Sequence, residues 1–184
     1  MTLQDKHAFI TGGGTGIGLA IAQDLAAKGA RVTITGRRQE VLDAVSGNGI
    51  TGMAMDVRDE AQVIDTIARA VEANGPVQIC VANAGVAEGR SLHKTDLDFW
   101  RDMMATNLDG AFLSIRESLK SMRQTDWGRV IAVSSMAGLR GLPGAACYSA
   151  SKHGMIGLIR SLSEDYMGQP FTFNALCPGY VDTE

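Results

Sequence analysis

The chain is poor in the features that mark several protein classes. Only three cysteines occur among 184 residues, Cys80, Cys147 and Cys177, and no two have a CxxC spacing. Each lies in an apolar or small-residue stretch that reads as buried interior, a usage that suits a reducing cytoplasm. Positive charge is not in excess. The formal net charge is −3 and the isoelectric point about 5.6, so no broad basic field draws the chain to nucleic acid or to anionic membranes. The three histidines, His7, His93 and His153, stand far apart, which argues against a metal-ligand cluster. No apolar run approaches the roughly 18 residues needed to cross a bilayer. Residues Met1 to Asp5 lack the charged and apolar regions of a signal peptide, so neither membrane nor export is expected. No linker, repeat or low-complexity tract breaks the chain, and residues 1–184 read as one domain.

What is present is ordinary for a folded soluble domain: 45% hydrophobic residues, 20% charged residues and a mean hydropathy of +0.02. Small-molecule chemistry is the better first expectation. Short apolar runs alternate with longer segments of helical period, as in the βαβ units of a parallel α/β sheet. Strands are predicted at His7–Thr11, Arg31–Thr35, Thr51–Met55, Val77–Ala82, Arg129–Ser134 and Thr172–Cys177. Helices are predicted at Gly16–Lys28, Gln39–Val45, Glu60–Asn74, Asp96–Met122 with a break near Asn107, and Ser149–Met167. Gly29 and the Gly75-Pro76 pair supply helix stops.

The first predicted strand runs through Thr11-Gly12-Gly13-Gly14-Thr15-Gly16-Ile17-Gly18 into a helix. Glycines there allow a sharp strand-to-helix turn, let main chain approach a pyrophosphate, and leave the N–H groups of a helix start facing the anion. The pattern is neither a strict GxGxxG nor a P-loop, because no GK[ST] follows. Gly36-Arg37-Arg38 ends the second strand where NAD sites carry an acidic residue. Paired arginines suit a 2′-phosphate, so NADP(H) is favoured, with NAD(H) the alternative. The bland reading is a glycine-rich turn followed by two solvated arginines.

Tyr148 and Lys152 lie four residues apart in Tyr148-Ser149-Ala150-Ser151-Lys152 and project from nearly one helix face. A phenol titrates near pH 10, and an adjacent ammonium favours its phenolate, moving it toward a working range. YxxxK alone is usually a polar helix face. Support comes from the β-branched strand ending in Ser134-Ser135, since ligands bind at the carboxyl ends of strands in open parallel sheets. Asn83-Ala84-Gly85 ends another strand on that edge, and Asn107 interrupts a helical stretch where its amide can bond to backbone. Taken singly these are a turn and a kink.

Together these residues resemble the short-chain dehydrogenase/reductase family from about Lys6 onward. The shared motifs are the Thr11 to Gly18 turn, Asp56-Val57, Asn83-Ala84-Gly85, Asn107, Ser135, Tyr148 with Lys152, and Pro178-Gly179 with Thr183. The resemblance implies a Rossmann-type doubly wound parallel sheet in three αβα layers and an NAD(P)-dependent oxidoreductase that interconverts a ketone and a secondary alcohol. It implies that Tyr148 exchanges the substrate proton, that Ser135, thirteen residues before it, bonds the substrate oxygen, and that Ser134 is structural. Lys152 would hold the nicotinamide ribose, and Asn107 would position a relay water. The cofactor would rest on Gly12, Gly14, Thr15, Gly16, Ile17, Gly18, Arg37, Arg38, Asp56, Val57, Asn83, Ala84 and Gly85. Tyr148, Lys152, Pro178, Gly179, Val181 and Thr183 would complete its site.

Family members continue past the Pro-Gly motif with a substrate-covering segment, a helix and a seventh strand, so more chain is expected beyond Glu184. Without it the last strand edge would stand uncovered. Residues 137–146 and 86–92 are expected to border an apolar substrate pocket suited to 3-oxoacyl thioesters, cyclic ketones or secondary alcohols. A homodimer or homotetramer is expected through the faces of 100–122 and 154–167. A nucleotide-binding scaffold without turnover is the competing class.

Overall fold

The computed structural model describes residues 2–183. Six strands form one parallel sheet: β1 (His7–Thr11), β2 (Arg31–Gly36), β3 (Ile50–Ala54), β4 (Val77–Ala82), β5 (Gly128–Val133) and β6 (Phe171–Leu176). Their order is β3-β2-β1-β4-β5-β6, so the sequence order reverses between β1 and β4. The inner strands are buried on both faces and read as continuous apolar runs, as parallel strands covered by helices must. Three of the strands begin one residue earlier than the sequence pattern placed them, because main-chain pairing with a neighbour, not side-chain character, sets where a strand starts.

Helices α1 (Gly16–Ala27) and α2 (Gln39–Asp43) cover one face, building a core from Ile10, Ala22, Ile34 and Leu42. On the other face lie α3 (Glu60–Asn74), α4 (Leu97–Met104), α5 (Gly110–Met122) and α6 (Ala146–Asp165), with Phe9, Val63, Ile115 and Met155 between them and the sheet. This is the three-layer, doubly wound arrangement expected. α2 stops short of Val45, where Ser46 turns its hydroxyl onto the Leu42 carbonyl at 2.8 Å. α6 starts three residues before Ser149, which brings Tyr148 inside its first turn.

The long helix does not break at Asn107; it widens. Residues Ala105–Asp109 form a π-helical turn between α4 and α5. Such single-turn bulges redirect side chains without interrupting the axis. Glycine stops work as predicted at Gly29 (φ +91°) and Gly75 (φ +81°), left-handed positions that cost other residues a steric penalty. Cys80 and Cys147 are buried, but Cys177, just after β6, is only partly covered. On the β6 face away from α6, Thr172, Asn174 and Leu176 are exposed, as expected of an edge strand.

At the amino ends of the strands His7 is fully buried. Its Nδ1–H donates to the Gly75 carbonyl at 2.7 Å and its Nε2 accepts from the Thr33 hydroxyl at 2.9 Å, fixing one neutral tautomer that ties β1 to β2 and to the α3–β4 turn. Burial holds this imidazole below its ordinary value of 6.5. A folded-state value below the unfolded one means that the stability is complete above pH 6.5 and is lost as pH falls toward the folded value. Thermal unfolding of the native chain is therefore expected to drop more steeply between pH 7.5 and pH 5.5 than that of His7→Gln; parallel slopes would contradict this.

Candidate functional site

The carboxyl ends of β1 and β4 part at the reversal of strand order, and the side chains there hold the gap in a fixed shape. The Thr11 hydroxyl accepts the main-chain N–H of Asn83 and of Ala84, both at 3.0 Å. The Asn83 amide donates to the Thr11 and Gly12 carbonyls, each at 3.0 Å. Gly12 needs its left-handed φ of +64°, and a Cβ on Gly18 would stand 2.2 Å from the Gly12 oxygen. Gly18 thus allows α1 to pack closely on the turn. Gly13 packs under Ile34, away from the crevice. Thr15 caps α1 without spending its side chain on the helix, and the first turn holds no acid, so the N–H groups and positive end of α1 face outward.

Of the cavities that border this end of the sheet, three form a continuous path from the glycine turn past Tyr148. The first, about 200 Å³, has Gly12, Gly14 and Thr15 at one end and Ala84 and Gly85 at another. Its far wall carries Arg37, Arg38, Asp56 and Val57, all anticipated, together with Arg58, which was not. Arg58 grips Asp56: its Nε lies 3.0 and 3.1 Å from the two carboxylate oxygens and Nη2 lies 2.7 Å from Oδ2. These hydrogen bonds, with the charges of Arg58 and Arg37, hold the Asp56 carboxyl below its usual range. Val57 anchors this wall, since a Cβ on Gly110 at the start of α5 would come within 2.7 Å of it.

The second cavity, about 160 Å³, brings together Ile17, Asn83, Gly85, Ser135, Tyr148, Lys152, Pro178 and Gly179. Ser135 accepts the Ala137 N–H at 3.1 Å, which leaves its own proton to donate. Ser134 turns the other way and donates to the Lys152 carbonyl at 3.0 Å, so it fastens α6 to the end of β5. Lys152 is 4% exposed and donates to the Val133 carbonyl at 2.8 Å, with its ammonium 5.8 Å from the Tyr148 ring centre. Burial pushes this ammonium down to about 8, opposed by the charge of nearby Cys177.

Asn107 lines none of these cavities. It is fully buried; its Oδ1 accepts the Val86 N–H at 2.8 Å, and its Nδ2 donates to the Val86 carbonyl at 2.9 Å and to the Ser151 hydroxyl at 3.1 Å. Ser151 in turn donates to the Tyr148 carbonyl at 2.8 Å. Both polar atoms of the Asn107 side chain are thus bonded to protein groups that brace the Val86 loop and α6. Ser151 was passed over in the sequence, although it stands one helical turn after Tyr148.

A third cavity, about 420 Å³, opens beyond Tyr148 and is bounded by Ala87 to Gly89, Met136, Arg140, Leu142 and Ala145. Val181 and Thr183 border it, and Thr183 also lies close to Gly16. The loops expected at the pocket are there, but its wall includes the charges of Glu88 and Arg140 as well as apolar groups.

The glycine cradle, whose faces a Cβ would fill, and the uncapped α1 start fit a pyrophosphate, and the Ser135, Tyr148 and Lys152 cluster adjoins them. Fold and site together define a dinucleotide-dependent oxidoreductase of the α/β class. Comparison with known proteins narrows this. The family model for short chain dehydrogenases matches residues 6–184. The 3-oxoacyl-(acyl-carrier-protein) reductase MabA of Mycobacterium avium is 36% identical over 97% of the chain and 68% of its own length. A crystal structure of a variant actinorhodin polyketide ketoreductase with NADPH matches with a TM-score of 0.94 and 36% identity, over all of this chain and 74% of that one. A short chain dehydrogenase/reductase of Burkholderia phymatum in complex with NAD matches with a TM-score of 0.94 and 29% identity, over all of this chain and 68% of that one. The chain belongs to the short chain dehydrogenase family, and it is an oxidoreductase of CH–OH and C=O groups that uses a nicotinamide cofactor. Among the described residues no helix is long and apolar enough to cross a membrane, and no three His, Cys, Asp or Glu residues group as metal ligands.

The buried lysine gives a direct test. Its 13Cε resonance in the cofactor-free protein is expected to titrate near pH 8 rather than at the ordinary lysine value of 10.5. By linkage the folded chain then gains stability from this group as pH rises from about 8 toward 10.5. A midpoint at the ordinary value would refute the buried-ammonium geometry.

Proposed function

We propose that this chain reduces a 3-oxoacyl thioester, or a ketone of similar shape, with NADP(H), using Tyr148 as the general acid. The observation that carries the reading is the meeting of Ser135, Tyr148 and Lys152 in one cavity that shares Gly85 with the dinucleotide cleft and opens beyond Tyr148 into a larger pocket. Gly12, Gly14, Thr15 and Gly16 would hold the pyrophosphate, with Ile17 and Gly85 along the nicotinamide path. Asn83, Ala84, Pro178, Gly179, Val181 and Thr183 would form the surrounding walls. When bound there, the nicotinamide supplies or accepts the hydride.

The chain's own residues do the rest. Ser135 donates its free proton to the substrate oxygen and stabilises the negative charge that develops on it. Tyr148 delivers its phenolic proton to that oxygen. Lys152 places its ammonium 5.8 Å from the Tyr148 ring centre, in a position to bond the ribose. Asn107 is a positioning residue: through Ser151 it fixes the first turn of α6, and any relay water would have to use main-chain groups there.

Arg37 and Arg38 support the NADP(H) preference, because both guanidinium groups border the adenosine end of the cleft and neither is paired with a carboxylate among the described residues. Similarity to a 3-oxoacyl reductase and a polyketide ketoreductase supports the thioester class. Residues 1–184 are proposed to act as one domain in the cytoplasm. A homodimer or homotetramer is proposed through the outer faces of α4 and α5, where Leu97 and Phe112 remain exposed.

Tyr148→Phe is expected to lower kcat about 10^3-fold while leaving the NADPH dissociation constant nearly unchanged; substantial residual turnover would refute the acid assignment. Sedimentation should show Phe112→Glu shifted toward monomer relative to the native chain, and a native monomer would refute the α4–α5 interface.

A further inference from the structure

The adenosine end of the cleft contains an apparent contradiction. A pocket read as accepting a 2′-phosphate also holds a carboxylate, Asp56, which is the one acidic side chain among its described lining residues. Left to itself, that carboxylate would repel a phosphate and attract the nearest guanidinium, since arginine and carboxylate pair bidentately. Arg37 is close enough for its charge to act on Asp56, yet it forms no ion pair with it. Arg58 makes that pair instead. Its backbone N–H reaches Oδ1 at 3.0 Å, its Nε contacts both oxygens, and its Nη2 closes on Oδ2 at 2.7 Å. The charge of Asp102 on α4 also favours the guanidinium.

We propose that Arg58 is a specificity-determining residue of the dinucleotide site that acts through Asp56: by occupying both carboxylate oxygens it keeps Arg37 available for a 2′-phosphate. The inference rests on the NADP(H) reading above and extends it to a residue four positions past the third strand's end. Arg58 here is a neutraliser and not a phosphate ligand. Removing it frees Asp56 to capture Arg37, and the loss falls on the cofactor that carries the extra phosphate. NADH, which lacks that group, should barely register the change.

The test is the ratio of dissociation constants for NADH and NADPH, measured by fluorescence titration of the cofactor-free protein in four forms: native, Arg58→Ala, Asp56→Asn and the double variant. Using the ratio cancels any loss common to both dinucleotides, including partial unfolding or a lost adenine contact. In the native protein the ratio is expected to favour NADPH; if it does not, the cofactor reading itself fails. In Arg58→Ala the ratio should fall roughly tenfold, and Arg58→Lys, which keeps charge but cannot span both oxygens, should lie between. The decisive arm is the double variant. With no carboxylate to neutralise, its ratio should return to within about twofold of the native value. A native preference that Arg58→Ala leaves unchanged would overturn the proposal, and so would a loss that Asp56→Asn does not rescue, which would make Arg58 a direct phosphate ligand.

Discussion

Two parallel strands that diverge at the middle of a sheet leave main-chain groups at their carboxyl ends with no strand to pair with. In this protein the clasp between Thr11 and Asn83 resolves that problem, and the site depends on it. One hydroxyl takes two backbone N–H groups and one amide takes two backbone carbonyls, so the polar groups facing the gap are satisfied without filling it. The glycine turn can then approach β4 closely, with Gly18 pressed on the Gly12 carbonyl and α1 aimed across the opening. Side chains larger than hydrogen at these positions would close the crevice that the strand order creates.

A second set of contacts carries order from that crevice to the reacting groups. The π turn swings Asn107 inward, where it ties the Val86 loop to Ser151 and, through it, to the turn bearing Tyr148. From the opposite side Ser134 and the Lys152 ammonium bond across between α6 and the end of β5. Tyr148 therefore stands on a helix start fixed at two points, next to a lysine that burial has brought to about 8. Rigidity and electrostatics arise from the same few hydrogen bonds. A loosened brace would disturb both orientation and proton affinity, because the charge is perturbed only while it remains buried.

Much of this was legible before any coordinates. Alternating apolar and helical segments reported the parallel sheet, and the glycines reported the turn, since each pattern follows from local backbone geometry and solvent exclusion. Tyr148 and Lys152 were legible for a similar reason: a four-residue spacing on a helix places them on one face wherever the helix goes. Arg58 was not, because an arginine two residues after an aspartate has no period to betray it; only the fold of the β3 exit turns it back onto Asp56. Asn107 was legible as an interruption of the helix, but its partners were not. Its amide finds partners 21 and 44 residues away, which no local pattern encodes.

By itself, then, the order of residues determined which segments become strands and helices and which chemical groups share a turn or a face, because those depend on interactions within a few residues. The tertiary structure alone decided that Asn107 braces instead of lining a cavity, that Ser134 and Ser135 face opposite ways, that Lys152 is buried, and that Asp56 is already paired. Each of those outcomes is set by groups distant in the chain meeting where water is excluded, and the energy of such meetings exists only once the sheet has assembled.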